Sequence, residues 1–151
     1  MKQLYDIGYQ SIDRDLLFAA IQRINAVLVD VRYSPRSRDV KWNGASLADL
    51  LKDSYVHIPE FGNKNYKGDS IELANPEAGL LMLYQIVFER PAILMCACWN
   101  RDWCHRKLVA KLFESKYGMV SQGLKTLDLK AIAGQPEPEQ MPLFEQPKLF
   151  E

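Results

Sequence analysis

The sequence predicts an α/β domain: a mainly parallel sheet of about five strands between two layers of helices. Two observations carry this. Short, nearly all-apolar runs such as "AVLVDVR" and "AILMCACW" have the composition of strands covered on both faces. Between them lie amphipathic stretches with the apolar spacing of helices, so strands and helices alternate along the chain. At 151 residues, 48% hydrophobic and 25% charged, one domain can bury its own core.

Element by element, "QLYDIGY" reads as a first strand. Ser11 is positioned to cap a helix in which Leu16, Leu17, Ala20, Ile21 and Ile24 share a face. "AVLVDVR" follows as the second strand and "SPRSRDVKWNG" as a loop. "SLADLLKDS" is a short amphipathic helix beginning at Ser46, and "YVHIPEF" a third strand ended by Pro59. Asn75 before Pro76 marks a helix start, with that helix running to about Glu89. "AILMCACW" is the fourth strand. "CHRKLVAKLFESKYG" is a helix with Leu108, Val109, Leu112 and Phe113 inward and Gly118 as its stop, and "MVSQ" is a fifth strand. These elements assign residues 1–132 to the domain. Residues 133–151, "GQPEPEQMPLFEQPKLFE" after Ala133, are rich in Pro, Glu and Gln without either period and read as an extended tail.

Several functions are disfavoured by composition. Nineteen basic and nineteen acidic residues cancel, which argues against a general nucleic-acid coat. No apolar run approaches the ~20 residues that span a bilayer, and the N-terminus lacks a secretory pattern. All three cysteines fall within "LMCACWNRDWCHR", an odd number in one short stretch. That favours a reducing, cytoplasmic setting over a disulfide framework, although a Cys98–Cys104 bridge is conceivable.

In parallel sheets, ligands bind beyond the carboxyl ends of the strands. The polar residues collect there. Asp30 and Arg32 end the second strand, with Ser37 and Arg38 in its loop; His57 and Glu60 end the third. Cys96 and Cys98 end the fourth, on one face by period two, and Cys104, His105 and Arg106 open the following helix. A cysteine at a helix N-terminus beside His and Arg suits a nucleophilic thiolate. The same turn suits phosphate or carboxylate binding without thiol chemistry. The bland alternatives are a buried cysteine, an Asp30–Arg32 ion pair tying loops together, and Trp99 and Trp103 packing over the turn rather than stacking on a base. C-x-C-x5-C-H departs from the usual zinc spacing and requires neighbouring Cys104 and His105 to point the same way. No metal ligand set is therefore assigned, and no cofactor is indicated.

Four ordered motifs resemble a known family, the domain-of-unknown-function family DUF488. "DIGY" is similar to the family's "TIGHS", "LVDVRYSPRSR" to its "LVDVR…P.SR", "HIPEFG" to its "H.PELGG", and "LMCACWNRDWCHR" to its "LMCAE…CHR". The resemblance implies an α/β fold and points to Asp30, Arg32, Ser37, Arg38, His57, Glu60, Cys96, Cys104, His105 and Arg106. It implies no established reaction. Tyr9 stands where the family commonly has His, and Cys98 where it commonly has Glu.

In the tail, "QMPLF" at Gln140–Phe144 and "QPKLF" at Gln146–Phe150 both fit Q-x-x-L-F. They resemble the peptides by which bacterial polymerases and repair proteins bind the DNA sliding clamp. Gln140, Leu143, Phe144, Gln146, Leu149 and Phe150 are the candidate contacts, Leu and Phe anchoring in an apolar pocket. The alternative is that Leu143, Phe144, Leu149 and Phe150 fold back on the domain or pair with a neighbouring molecule.

The combined expectation is an enzyme acting on a nucleotide or nucleic-acid-related phosphorylated substrate and recruited by the clamp. Cys104, His57, Glu60 and Asp30 are the candidate catalytic side chains; Arg32, Ser37, Arg38, His105 and Arg106 are the candidate anion contacts. The rivals are a non-enzymatic module for a phosphorylated or carboxylate ligand, and a redox or metal sensor based on the cysteines.

Overall fold

A computed structural model describes residues 1–65, 67–98 and 104–135. Five strands form one sheet: β1 (Leu4–Gly8), β2 (Val27–Asp30), β3 (Tyr55–His57), β4 (Ala92–Cys96) and β5 (Gln122–Gly123). Their order is β3-β2-β4-β1-β5, and every pairing is parallel. The helices are α1 (Arg14–Ile24), α2 (Gly44–Leu51), α3 (Pro76–Glu89), α4 (His105–Tyr117) and α5 (Thr126–Ala133). No helix among the described residues is long and apolar enough to cross a membrane.

The alternation of side chains along the central strands produces two cores. Val27 and Val29 of β2, with Ala92, Leu94 and Cys96 of β4, pack against Leu83 and Val87 of α3 and Val109 and Phe113 of α4. The intervening Leu28, Ile93 and Met95 pack against Leu17 and Ile21 of α1, Leu47 of α2 and Leu129 of α5. With apolar side chains on both faces, β2 and β4 can be covered by helices on each side. The result is three layers.

This topology creates a crevice. The chain leaves β2 toward β3 at one edge and leaves β4 toward β5 at the other. The two connections diverge over opposite faces, so the carboxyl ends of neighbouring β2 and β4 border an opening of the kind where such sheets bind ligands.

Local signals explain most boundaries. The Asn75 side chain accepts from the Ala78 amide at 3.3 Å with Pro76 in the first turn. Gly118 ends α4 at φ 75°, a left-handed conformation that disfavours side chains. Several expectations need correction. The fifth strand lies at Gln122–Gly123 rather than across Met119–Gln122. Asp13, not Ser11, caps α1, its carboxylate accepting from the Asp15 amide at 2.9 Å, while Ser11 occupies a left-handed turn. Asn43 rather than Ser46 precedes α2, and its side-chain oxygen serves the Ser37 amide at 2.7 Å instead of the helix. β4 stops at Cys96, leaving Cys98 beyond the strand though packed against the same core as Cys96. Finally, α5 was not anticipated. Its Asp128 carboxylate accepts from the Lys125 amide at 2.7 Å, and Leu129 is its buried anchor.

Candidate functional site

At the end of β2, successive residues point to opposite faces of the sheet. Asp30 and Arg32 therefore share a face, toward Trp42 and Tyr55. Arg32 forks onto Asp30, Nε to Oδ1 at 2.8 Å and Nη2 to Oδ2 at 2.6 Å. Nη2 also donates to the Trp42 carbonyl at 2.8 Å. The Tyr55 hydroxyl donates to Asp30 Oδ2 at 2.7 Å, and the guanidinium lies over the ring of Tyr9, itself stacked on Trp42. Both charges are buried. Burial alone would lower the pKa of Arg32, but the bonds and charge of Asp30 outweigh it and raise the value. The Tyr55 pKa is also raised, first by burial and then by the Asp30 carboxylate, so this phenol holds its proton. Asp30 and Arg32 thus form a buried ion pair, held to Trp42 through Arg32 and to Tyr55 through Asp30.

A second buried pair occupies the opposite face. Arg106, in the first turn of α4, places Nε 3.2 Å from Asp6 Oδ1 in β1, while Ser121 donates to Asp6 Oδ2 at 2.6 Å. Nη1 of Arg106 donates to Cys96 Sγ at 3.1 Å and to the Cys98 carbonyl. Gly8 is required beneath this contact, because a β-carbon there would overlap the Cys98 carbonyl. The backbone is fastened as well: the Tyr9 amide donates to the Cys96 carbonyl at 2.9 Å and the Val31 amide to the Met95 carbonyl at 3.1 Å.

The cysteines meet at this corner. The sulfur atoms of Cys96, Cys98 and Cys104 all lie within 4.8 Å of one another. Those of Cys96 and Cys104 are paired, and Cys98 keeps a free, half-buried thiol. The bridge considered from sequence joined Cys98 to Cys104; the strand places Cys96 there instead. Cys104 is the N-cap of α4 in extended conformation and makes no side-chain capping bond. His105, one residue on, already belongs to the helix. This break in backbone conformation lets neighbouring side chains converge, with Cys104 Sγ 3.8 Å from His105 Nδ1. His105 Nε2 lies 2.8 Å from the Val31 carbonyl. A carbonyl only accepts, so Nε2 carries the proton and Nδ1 presents its lone pair. Burial, aided by the charge of Arg106, lowers the His105 pKa against the opposing pull of the Val31 carbonyl and Asp30. The imidazole is therefore neutral at neutral pH.

Arg32, Cys96, Cys98, Cys104 and His105 line a cleft of about 790 Å³ over the carboxyl ends of β2 and β4, with Tyr33, Ser34, Asn63, Ala97 and the loop from Gly68 to Ile71 completing its described wall. Not every candidate reaches it. Ser37 and Arg38 line a separate depression beside Tyr9 and Trp42. His57 and Glu60 are absent from the cleft lining: His57 Nε2 lies 2.7 Å from the Arg32 carbonyl, and Glu60 Oε2 is buried without a hydrogen-bond partner among the described residues. Trp99 and Trp103 lie outside the described residues, as do Gln140, Leu143, Phe144, Gln146, Leu149 and Phe150. Sequence reasoning passed over Asp6, Ser121 and Tyr55. The available signal for Asp6 was a carboxylate inside an otherwise apolar strand, where burial demands a partner.

The family model described as "Domain of unknown function DUF488" matches residues 15–113. No curated protein and no solved structure matches the chain significantly.

Proposed function

Because the chain belongs to the DUF488 family, whose description records no reaction, we propose a function from the cleft itself: an enzyme acting on a nucleotide or nucleic-acid-related phosphorylated substrate, with a tail that recruits it to the DNA sliding clamp. The observation that carries the first half is the convergence of Cys104, His105 and the α4 N-terminus on a cleft of about 790 Å³, within the volume range of small-molecule sites. A helix N-terminus attracts anions through its unpaired amides and dipole. The Cys104 cap leaves its side chain free of that turn. Beside it, neutral His105 offers a lone pair to accept a proton. Ser34, Asn63 and Ser70 supply polar groups on the other wall, while Asp69 contributes a negative charge to the rim.

In this reading the anion contacts are the first turn of α4 and the cleft's polar walls. Arg32 supports them from the cleft wall and Arg106 from behind, each already having a carboxylate partner. The reacting corner is Cys104 with His105, in the reduced protein where the Cys96–Cys104 pair is open. Recruitment rests on the repeated Q-x-x-L-F pattern, whose paired anchors at one end of a chain raise local concentration at a partner.

A panel of nucleoside phosphates and phosphorylated oligonucleotide ends, assayed with reduced protein, tests the proposal. Turnover should fall by about 100-fold or more in Cys104→Ser with the fold retained. Undiminished turnover in that variant sinks the assignment of the corner. Saturable binding without turnover would mark a non-catalytic anion-binding module instead.

A further inference from the structure

We infer that Cys96, Cys98, Cys104 and Nδ1 of His105 form a binding site for one thiophilic divalent ion of the zinc class. The three sulfurs lie within 4.8 Å of one another, and Nδ1 stands 3.8 Å from Cys104 Sγ. Zinc bonds of about 2.3 Å to sulfur and about 2.0–2.1 Å to nitrogen give tetrahedral edges of roughly 3.6–3.8 Å. The three sulfurs therefore need only side-chain adjustments to surround one ion, and Nδ1 stands beside the Cys104 ligand as the fourth donor. The Cα atoms of Cys96 and Cys104 are 7.6 Å apart, outside the about 4.4–6.8 Å usual for a direct sulfur bridge. In the reduced protein, that separation suits two sulfurs sharing a third atom.

The surroundings are those of a ligand set. A metal-bound histidine characteristically donates its other ring nitrogen to a carbonyl or carboxylate, and His105 Nε2 does so to Val31 at 2.8 Å. Three thiolates around a doubly charged ion leave one net negative charge, and Arg106 donates to Cys96 Sγ at 3.1 Å. The objection that neighbouring Cys104 and His105 must point the same way falls away, because Cys104 is extended and His105 helical, and the two side chains approach to 3.8 Å. A dithiol reductant first opens the Cys96–Cys104 pair, supplying two electrons and two protons and leaving as its own disulfide; the reduced protein then exchanges three thiol protons for one ion with no further change of oxidation state.

The inference goes beyond the proposed function and constrains it. With the ion bound, Cys104 is a ligand, and anion binding falls to the α4 N-terminus and the opposite wall.

The 151-residue chain, reduced and stripped with a chelator, should be titrated anaerobically with Co²⁺. One equivalent per chain should give the visible bands of a tetrahedral site and sulfur-to-cobalt charge-transfer absorption, both bleached by Zn²⁺. Cys98→Ser alters a half-buried side chain outside the strands and should retain the fold, yet weaken cobalt binding by about 100-fold or more, exceeding the ~10–100-fold typical of losing an outer partner. His105→Ala should shift the visible bands. Absence of stoichiometric binding, or identical binding in Cys98→Ser, overturns the inference. Nucleotide turnover by chelator-stripped protein would leave the proposed function standing without the metal. Cobalt binding with no nucleotide bound or turned over would do the reverse.

Discussion

His105 Nε2 donates to the Val31 carbonyl at 2.8 Å, joining the first turn of α4 to the end of β2 across the crevice. The bond selects the tautomer whose Nδ1 lone pair faces Cys104, 3.8 Å away. In reduced, metal-free protein, His105→Gln should slow alkylation of Cys104 by iodoacetamide on the order of tenfold, the equivalent of one pKa unit. Peptide mapping by mass spectrometry assigns the modified cysteine. An unchanged rate at Cys104 would show that the imidazole does not assist the thiol.

The Asp6–Arg106 pair is buried, at 1% and 4% side-chain exposure. Removing one partner of such a pair typically costs about 3–5 kcal/mol, mostly through the charge left behind. Arg106→Gln should lower unfolding stability by that amount in urea. Asp6→Asn combined with Arg106→Gln should cost less than the two single changes together. Strict additivity in the double-mutant cycle would show that the pair is not coupled.

Tyr55 supplies a pH dependence. Its folded pKa is raised, by burial first and Asp30 second, so the folded protein holds a proton that the unfolded chain releases near pH 10. The contribution is complete below about pH 10 and is lost as pH rises through the folded value. Tyr55→Phe should lose about 1–2 kcal/mol at neutral pH, for one half-exposed bond to a carboxylate. Its stability should then decline less steeply than the natural protein's above about pH 10. Parallel declines in thermal unfolding would contradict the raised pKa.

The tail makes a separate prediction. A bacterial sliding clamp should bind the full chain, and Leu143→Ala with Phe144→Ala should weaken that binding by about tenfold or more, the loss of two anchor side chains. Removing Leu149 and Phe150 as well should abolish it. Calorimetry with purified clamp measures both steps, and binding that survives all four changes would exclude these motifs as the contact.

The fold was largely legible because buried parallel strands must be apolar, and "AVLVDVR" and "AILMCACW" allow little else. Asn75–Pro76 and Gly118 were legible because caps obey local backbone chemistry. The short β5 and α5 were harder: β5 has only two paired residues, both exposed, and α5 depends on packing beside α1. At the site, the ends of β2 and β4 could be placed from sequence, but their partners could not. Asp6 and Arg106 are a hundred residues apart, and no local pattern pairs them. Likewise, period two put Cys96 and Cys98 on one face, whereas the convergence of Cys104 with His105 depends on where the helix begins.

The most direct test of the cleft as the binding site is an amide NMR titration of reduced protein with nucleoside phosphates. Saturable shifts should concentrate at Tyr33, Ser34, Ala97 and His105, around the crevice between β2 and β4. Absence of binding across the panel, or shifts confined to surfaces away from those residues, would contradict the account.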